Sequence, residues 1–284
     1  MKEAIRKSDI LIEALPYIIK FNEKIIVIKY GGSAMTAPEV RKGIFQDIIF
    51  MNVCGIKPVI IHGGGPFISR EMKALGREPR FINGLRVTDE EDVQIVNRVL
   101  SDVNRGIVRE IEALGGKATS LYGKDGIISV RRHRASGDIG YVGDIESIDT
   151  TPIETVMLKK HIPVISPLGM GLDDHMIHNV NADSASSEIA IALGAIKLAL
   201  LTNVDGVMAR SGDVISSIDL EGVKVNVEQG VITGGMLPKV NSCIKALEGG
   251  LNKAHIINGN ISHALLLEIF TNQGIGTEIT INGK

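Results

Sequence analysis

Unbroken runs of β-branched and aliphatic residues alternate along this chain with segments whose apolar positions recur every three to four residues. The runs are those of strands buried on both faces and the intervening pattern is that of helices with one apolar stripe, which predicts an α/β fold. The expected architecture is an open three-layer α/β/α sandwich around a mainly parallel sheet. The first strand, 24–30 (KIIVIKY), stops at Gly31-Gly32, and a helix over 38–54 follows. A second strand, 58–61, runs into His62-Gly63-Gly64-Gly65-Pro66, where proline at the first helical position opens a helix through Ile68, Met72 and Leu75. Thr88 and Glu91 have capping-box spacing ahead of a long helix carrying Val93, Val96, Leu100, Val103, Ile107, Ile111 and Leu114.

Residues 118–143 read as short strands and turns, a hairpin excursion from the sheet, with the basic run Arg131-Arg132-His133-Arg134 as a solvated loop. Beyond it the pattern predicts strands at 162–166 and 197–202, helices at 183–193 and 238–247, and closing strands near 255–257 and 278–281. With no internal repeat or long linker, two lobes, 21–178 and 179–284, are expected to share one continuous sheet with a seam near residue 178. Residues 1–20 form an amphipathic helix whose Ile5, Ile12, Leu15 and Ile19 lie on one stripe.

Composition narrows the function. The 284 residues are 44% hydrophobic and 23% charged with a net charge of -2, which excludes a disordered chain and disfavours binding to nucleic acid by broad phosphate neutralisation. The longest apolar stretch, 189–201, is interrupted by Gly194 and Lys197 and is too short to span a bilayer. Cys54 and Cys243 offer neither a disulfide scaffold nor a thiolate zinc site, and the N-terminus does not read as a signal or transit peptide. A soluble protein of a reducing compartment, acting on a small molecule, is expected.

Glycines cluster at the predicted strand ends, at Gly31-Gly32, Gly63-Gly64-Gly65, Gly169, Gly171 and Gly234-Gly235. In an open α/β sheet that is where ligands bind, and glycines there let backbone N–H groups approach an anion, although each cluster taken alone is also an ordinary tight turn. Lys29 closes the first strand at the mouth of its glycine loop, either facing a ligand or snorkelling to solvent. Lys239 lies in the first turn of its helix, where the helix dipole disfavours a cation by roughly 0.3–1 kcal/mol. A bound anion offsets that cost; the alternative is a tolerated exposed lysine. Arg86 is suited to grip a carboxylate bidentately or to pair with Asp89 or Glu90. Among Asn179, Asn181 and Asp183, one caps the following helix, which does not account for all three. Asp173, Asp174, His175 and His178 could ligate a metal, but the flanking Gly169 and Gly171 favour a surface turn. P-loop, complete dinucleotide-binding, protein-kinase and nucleophile-elbow motifs are missing from the sequence.

Read in order, Lys29-Tyr30-Gly31-Gly32-Ser33, His62-Gly63-Gly64-Gly65-Pro66, Gly84-Leu85-Arg86-Val87-Thr88, Asn179-Val180-Asn181-Ala182-Asp183, Leu201-Thr202-Asn203-Val204-Asp205-Gly206-Val207 and Gly234-Gly235-Met236-Leu237-Pro238-Lys239-Val240 resemble the amino acid kinase family over about residues 22–284. The second and third motifs bring the chain nearest to those members that act on N-acetyl-L-glutamate. The resemblance implies MgATP-dependent phosphorylation of the side-chain carboxylate of N-acetyl-L-glutamate, a step of arginine biosynthesis without a covalent enzyme intermediate. Such chemistry needs alignment and positive charge rather than a general base, because the carboxylate is already a nucleophile.

By the same resemblance, Lys29 and Lys239 stabilise the transition state and Asp183 holds both. Gly64, Gly65, Arg86 and Asn179 bind the acid. Gly31, Gly32, Gly63, Thr202, Asn203, Asp205, Gly206 and Gly235 serve ATP, whose phosphates carry Mg2+ in place of a protein metal site. Lobe 21–178 then takes the acid and mediates dimerisation, and 179–284 takes the nucleotide. The family often has aspartate where Asn203 stands. Residues 1–20 and the segment from His263 to Thr277 resemble the arginine-inhibited members, which implies an L-arginine effector site with Glu268, Gly276 and Lys197, and a homohexamer built as a trimer of dimers through the N-terminal helix. In some photosynthetic relatives a PII-type signalling protein binds. The expected location is cytoplasmic, or the plastid stroma for an organelle-encoded chain. Competing readings are an aspartokinase-like carboxylate or carbamate kinase, and a non-catalytic nucleotide or amino-acid sensor.

Overall fold

The structure, a computed structural model, describes residues 1–271 and 274–282. In chain order its first half comprises α1 (Lys2–Phe21), β1 (Ile25–Tyr30), α2 (Pro38–Val53), β2 (Lys57–His62), α3 (Gly65–Ala74), β3 (Phe81–Ile82), β4 (Leu85–Arg86), α4 (Glu90–Ala113), β5 (Ala118–Tyr122), β6 (Ile128–Arg132) and β7 (Gly143–Ile148). Then follow α5 (Thr151–Leu158), β8 (Ile162–Ser166), β9 (Leu168–Gly171), β10 (Ile177–Asn179), α6 (Ala182–Ala192), β11 (Lys197–Thr202), β12 (Ser217–Asp219), α7 (Leu220–Glu228), α8 (Met236–Glu248), β13 (Lys253–Asn258), α9 (Ala264–Phe270) and β14 (Thr277–Thr280).

The main sheet has eight strands in the order β12-β14-β13-β11-β1-β2-β8-β5. It is parallel from β13 to β5, and β14 joins antiparallel to β13. Strand alternation divides the core between its two faces. Val27, Val59, Ile61, Leu198 and Leu200 pack under α6 and α8 on one side, while Ile26, Ile28, Ile60, Ala199 and Leu201 pack under α2 on the other. Lys29 is in phase with Val27, so the period of two turns its side chain to the α6 face at the carboxyl end of the strand. The expected α/β architecture is what the chain adopts, and the main sheet takes strands from both sides of residue 178. No described helix is long and apolar enough to cross a membrane.

The excursion after residue 118 is a β6–β7 hairpin, part of a second, four-stranded sheet in the order β10-β9-β6-β7. Its basic run is neutralised locally, Arg131 by Glu146 and Asp173, and Arg132 by Asp138. Asp174 pairs with the buried His178 at 3.0 Å, which makes this region a turn braced by side chains. The cap of α4 differs from the sequence expectation. Asp89, not Thr88, is the N-cap, and Asp92 completes the box in place of Glu91. Thr88 is unavailable because its hydroxyl donates to the Arg86 carbonyl at 2.8 Å and its N–H to the Ile139 carbonyl.

A fully buried histidine shapes the second glycine loop. His62 Nδ1–H donates to the Gly63 carbonyl at 2.9 Å, and Nε2 accepts from the Asn104 amide at 3.2 Å, itself tied to the Val164 carbonyl at 2.9 Å. Burial pushes the imidazole pKa down to about 4, so the ring is neutral in the fold at neutral pH. Protonation in the unfolded chain near the ordinary value of about 6.5 therefore favours unfolding. The stability held above that pH is lost as pH falls toward 4, about 2 kcal/mol of it by pH 5. Urea denaturation at pH 7.5 and pH 5 should show this increment, and His62→Asn should lack it.

Candidate active site

A cavity of about 270 Å3 opens at the carboxyl ends of β1 and β2, where the ligand site of such a sheet is expected. Lys29, Gly32, Gly63, Gly64, Gly65, Arg86, Asn179 and Asp183 all line it. Residues from four distant parts of the sequence thus meet at one place.

Asn181 N-caps α6, its side-chain oxygen accepting from the N–H groups of Asp183 at 2.8 Å and Ser184 at 3.1 Å. Asp183 is thereby held in the first turn, pointing at β1. One of its carboxylate oxygens meets Lys29 Nζ at 2.9 Å and the other meets Lys239 Nζ at 3.1 Å. Burial works to raise the Asp183 pKa, but the two ammonium groups outweigh it and hold the carboxyl below its ordinary value. For Lys29, burial dominates and lowers the pKa, with Lys239 acting the same way and Asp183 against them. Two lysines thus share one carboxylate; Lys29 and Asp183 lie on the cavity wall, and Lys239 is outside its lining. Both lysines are therefore engaged at the site; neither snorkels free.

Arg86 is 6% exposed. Its Nη2 donates to Ser69 Oγ at 2.8 Å and to the Gly65 carbonyl at 3.1 Å, and its Nη1 to Met72 Sδ at 3.3 Å. The Phe81 ring stacks 4.7 Å from the guanidinium carbon. Among the described residues Arg86 forms no ion pair, and burial lowers its pKa. Pairing with Asp89 or Glu90 does not occur: Asp89 is taken by Arg77. A buried cation without a carboxylate partner, facing a cavity, suits an anionic ligand. Asn179 reaches Thr88 Oγ1 at 3.4 Å from the opposite wall.

Of the nucleotide candidates, Gly32 and Gly63 line this cavity, whereas Gly31, Thr202, Asn203, Asp205, Gly206 and Gly235 do not. Thr202 ends β11, Asp205 accepts from the Asn258 amide at 2.7 Å, and Gly206 lies beside Thr277, whose hydroxyl accepts from the Val207 N–H at 2.8 Å. Thr202 contacts Asn203 at 3.4 Å, and Gly235 precedes α8. Because β11 pairs parallel with β1 and β13, this group lies at the same end of the sheet.

The residues read as an effector site line a separate cavity of about 400 Å3 with Tyr17, Lys20, Phe21, Lys253 and Glu278. Lys197, Glu268 and Gly276 are all on its wall. Glu268, however, is not an open carboxylate: it lies 2.7 Å from Nδ1 of the buried His255 and accepts from the Ile275 N–H at 3.1 Å. A side chain at Gly276 would lie 2.1 Å from the Ile256 carbonyl, so glycine there serves a close backbone crossing.

Sequence reasoning missed the β3–β4 hairpin, the buried His62–Asn104 pair and Arg77. The hairpin had a signal: Asn83-Gly84, with φ of 50° and 80°, occupies the two positive-φ positions that an Asn-Gly turn favours.

The sequence profile described as "Amino acid kinase family" matches residues 24–258. The chain is 50% identical over 282 residues to the acetylglutamate kinase of Caldanaerobacter subterraneus subsp. tengcongensis, covering 98% of this chain and 94% of that protein. With the acetylglutamate kinase of Moorella thermoacetica it shares 47% over 289 residues, covering 97% of each. Among solved structures it resembles the N-acetylglutamate synthase of Neisseria gonorrhoeae, seen with coenzyme A and N-acetyl-glutamate (TM-score 0.86, 26% identity, 98% of this chain) and with coenzyme A and L-arginine (TM-score 0.84, 26% identity, 95% of this chain). This chain spans 64% of the synthase's length. With the motifs in order, the sheet in the expected arrangement and the profile running from the start of β1 to the end of β13, the chain belongs to the amino acid kinase family.

Proposed function

We propose that this protein transfers the γ-phosphoryl group of ATP to the side-chain carboxylate of N-acetyl-L-glutamate, giving N-acetyl-L-glutamyl 5-phosphate in arginine biosynthesis. The observation that carries the reading is that Lys29, Asp183 and an Arg86 without an ion pair among the described residues line one cavity, with Lys239 paired to the same Asp183. The names of the near full-length relatives point the same way.

Attack of a carboxylate oxygen on the γ-phosphorus brings two anions together, and the barrier falls when fixed positive charge meets the equatorial phosphoryl oxygens. Lys29 and Lys239 supply that charge from either side of Asp183, which sets their separation. Backbone N–H groups of Gly32 and the Gly63–Gly65 loop orient phosphoryl and acid oxygens. Arg86, with Asn179 opposite, grips the α-carboxylate, leaving the side-chain carboxylate directed at Lys29. Gly31, Thr202, Asn203, Asp205, Gly206 and Gly235 hold the nucleotide on the 179–284 side. The described residues contain no group of three or more acidic, histidine or cysteine side chains fit to cage a metal, and Asp183 is occupied by its lysines. Mg2+ on the nucleotide phosphates, where it neutralises charge, fits this donor set.

Regulation by L-arginine fits the second cavity, where Lys20 and Lys197 suit the ligand's carboxylate and where Glu268, in contact with His255, and Glu278, paired with Lys253 at 2.5 Å, put carboxylates on the wall for its cationic end. Tyr17 and Lys20 come from α1, so that helix reaches the site, while Ile5, Ile12, Leu15 and Ile19 on it are exposed in one chain, at 53%, 67%, 45% and 69%. A hexamer in which α1 meets α1 of another dimer would cover them.

Hydroxylamine trapping of acyl phosphate, run with ATP and N-acetylglutamate, glutamate or aspartate, should give product with the first acid only. Product with aspartate alone would favour the aspartokinase-like reading, and none with any acid would favour a sensor. Lys29→Ala and Lys239→Ala should each lower kcat at least ~100-fold. Arg86→Ala should chiefly raise KM for N-acetylglutamate, leaving KM for ATP near its wild-type value. Deleting residues 1–20 should yield dimers that keep the kinase activity but respond to arginine only at much higher concentration; light scattering that finds an intact hexamer would remove the assembly proposal.

A further inference from the structure

The chain between α3 and α4 carries the β3–β4 hairpin and with it both Phe81 and Arg86. Its two ends are brought together by one side chain. Arg77 Nε meets Asp92 Oδ1 at 2.6 Å, while its two terminal nitrogens are paired with Asp89 and Glu91. All three carboxylates belong to the N-cap and first turn of α4. On the other side the Arg77 N–H donates to the Met72 carbonyl at 2.9 Å, so the backbone of Arg77 is locked to the end of α3. Met72 is the residue whose sulfur accepts from Arg86, and Ser69 and Gly65 of the same helix supply the other two acceptors.

Asp92 is the point of tension. It is buried, and its charge acts on Arg86 as well as on Arg77. Without Arg77, Asp92 would keep only the Asp89 N–H at 3.4 Å as a partner, leaving a buried anion whose charge acts on Arg86, a buried cation whose present acceptors are all neutral. Charge-assisted bidentate pairing is stronger than hydrogen bonds to a carbonyl, a hydroxyl and a thioether, so Arg86 would turn to Asp92 and away from the cavity.

We propose that Arg77 is a positioning residue for the acid-binding half of the site: by occupying Asp92 and clamping α3 to α4 it keeps the Arg86 guanidinium available to the substrate's carboxylate. This rests on the assignment of Arg86 to the acid substrate. Arg77 touches no cavity residue with its side chain among the contacts described, and its three-pronged fork is a geometry that lysine cannot reproduce.

The test is steady-state kinetics of wild type, R77Q, R77K, D92N and R77Q/D92N, with a crystal structure of R77Q. For R77Q, KM for N-acetylglutamate should rise about tenfold, the scale of losing one well-placed charge contact, with kcat and KM for ATP within about twofold of wild type. R77K should rise less. D92N should resemble wild type, and R77Q/D92N should recover most of the lost affinity, because the competing anion is gone. A merely structural role would lower the melting temperature without this split and without recovery in the double variant. In the R77Q crystal structure Arg86 should have left Ser69 and Gly65 for Asp92. Unchanged KM for the acid, equal losses for both substrates, no recovery in R77Q/D92N, or Arg86 still on Ser69 would each overturn the proposal. Should wild type fail to phosphorylate N-acetylglutamate, the functional reading falls, while the position of Arg86 in the R77Q crystal structure still decides this one.

Discussion

One carboxylate held between two ammonium groups organises this molecule. Asp183 can accept Lys29 on one oxygen and Lys239 on the other only because three separate elements converge. The alternation of β1 turns Lys29 to the α6 face, the Asn181 cap fixes the first turn of α6, and α8 brings Lys239 in from beyond the glycine pair at 234–235. Burying these charges is unfavourable for each taken singly; for Lys29, burial and Lys239 both lower the pKa and Asp183 alone opposes them. The three side chains are held in place by one another before any ligand arrives, and under the proposed function such preorganised charge is what would favour a transition state over a ground state.

The Arg86 side of the cavity follows a different logic. There a single arginine is kept without a counter-charge, cradled by neutral acceptors on α3 and stacked against Phe81, while a nearby buried carboxylate is occupied by Arg77. The two halves meet across the Gly63–Gly65 loop, whose shape depends on a neutral buried histidine anchored by Asn104. Strand order links them further: β1, β2 and β11 are neighbours, so glycine loops distant in sequence open at one end of one sheet.

Features written in short-range pattern were legible before the structure. β1 and β11 are continuous apolar runs with glycine or polar residues at their ends, and the helix-opening Pro66 and the dipole-opposed Lys239 each had a local physical reason to be noticed. What escaped depends on partners far away in the chain. Nothing near Asn104 announces that its amide will reach His62, and nothing near Arg77 announces three carboxylates 12 to 15 residues later. The α4 cap moved by one residue because Thr88 had a tertiary use for its hydroxyl and its N–H, a competition that local spacing cannot express. Glu268 was read as an effector-binding carboxylate and not as the partner of a buried histidine, since His255 lies inside a strand run that reads as purely structural.

The most direct test of the account is the pH profile of kcat in Asp183→Asn, an isosteric change that removes the charge binding the two lysines. If Asp183 sustains the protonated Lys29, neutral-pH kcat should fall at least ~100-fold and the alkaline limb should move to lower pH, because burial and Lys239 would then act on Lys29 unopposed. A variant with the wild-type rate and an unmoved alkaline limb would contradict the claim that this three-charge centre carries the chemistry.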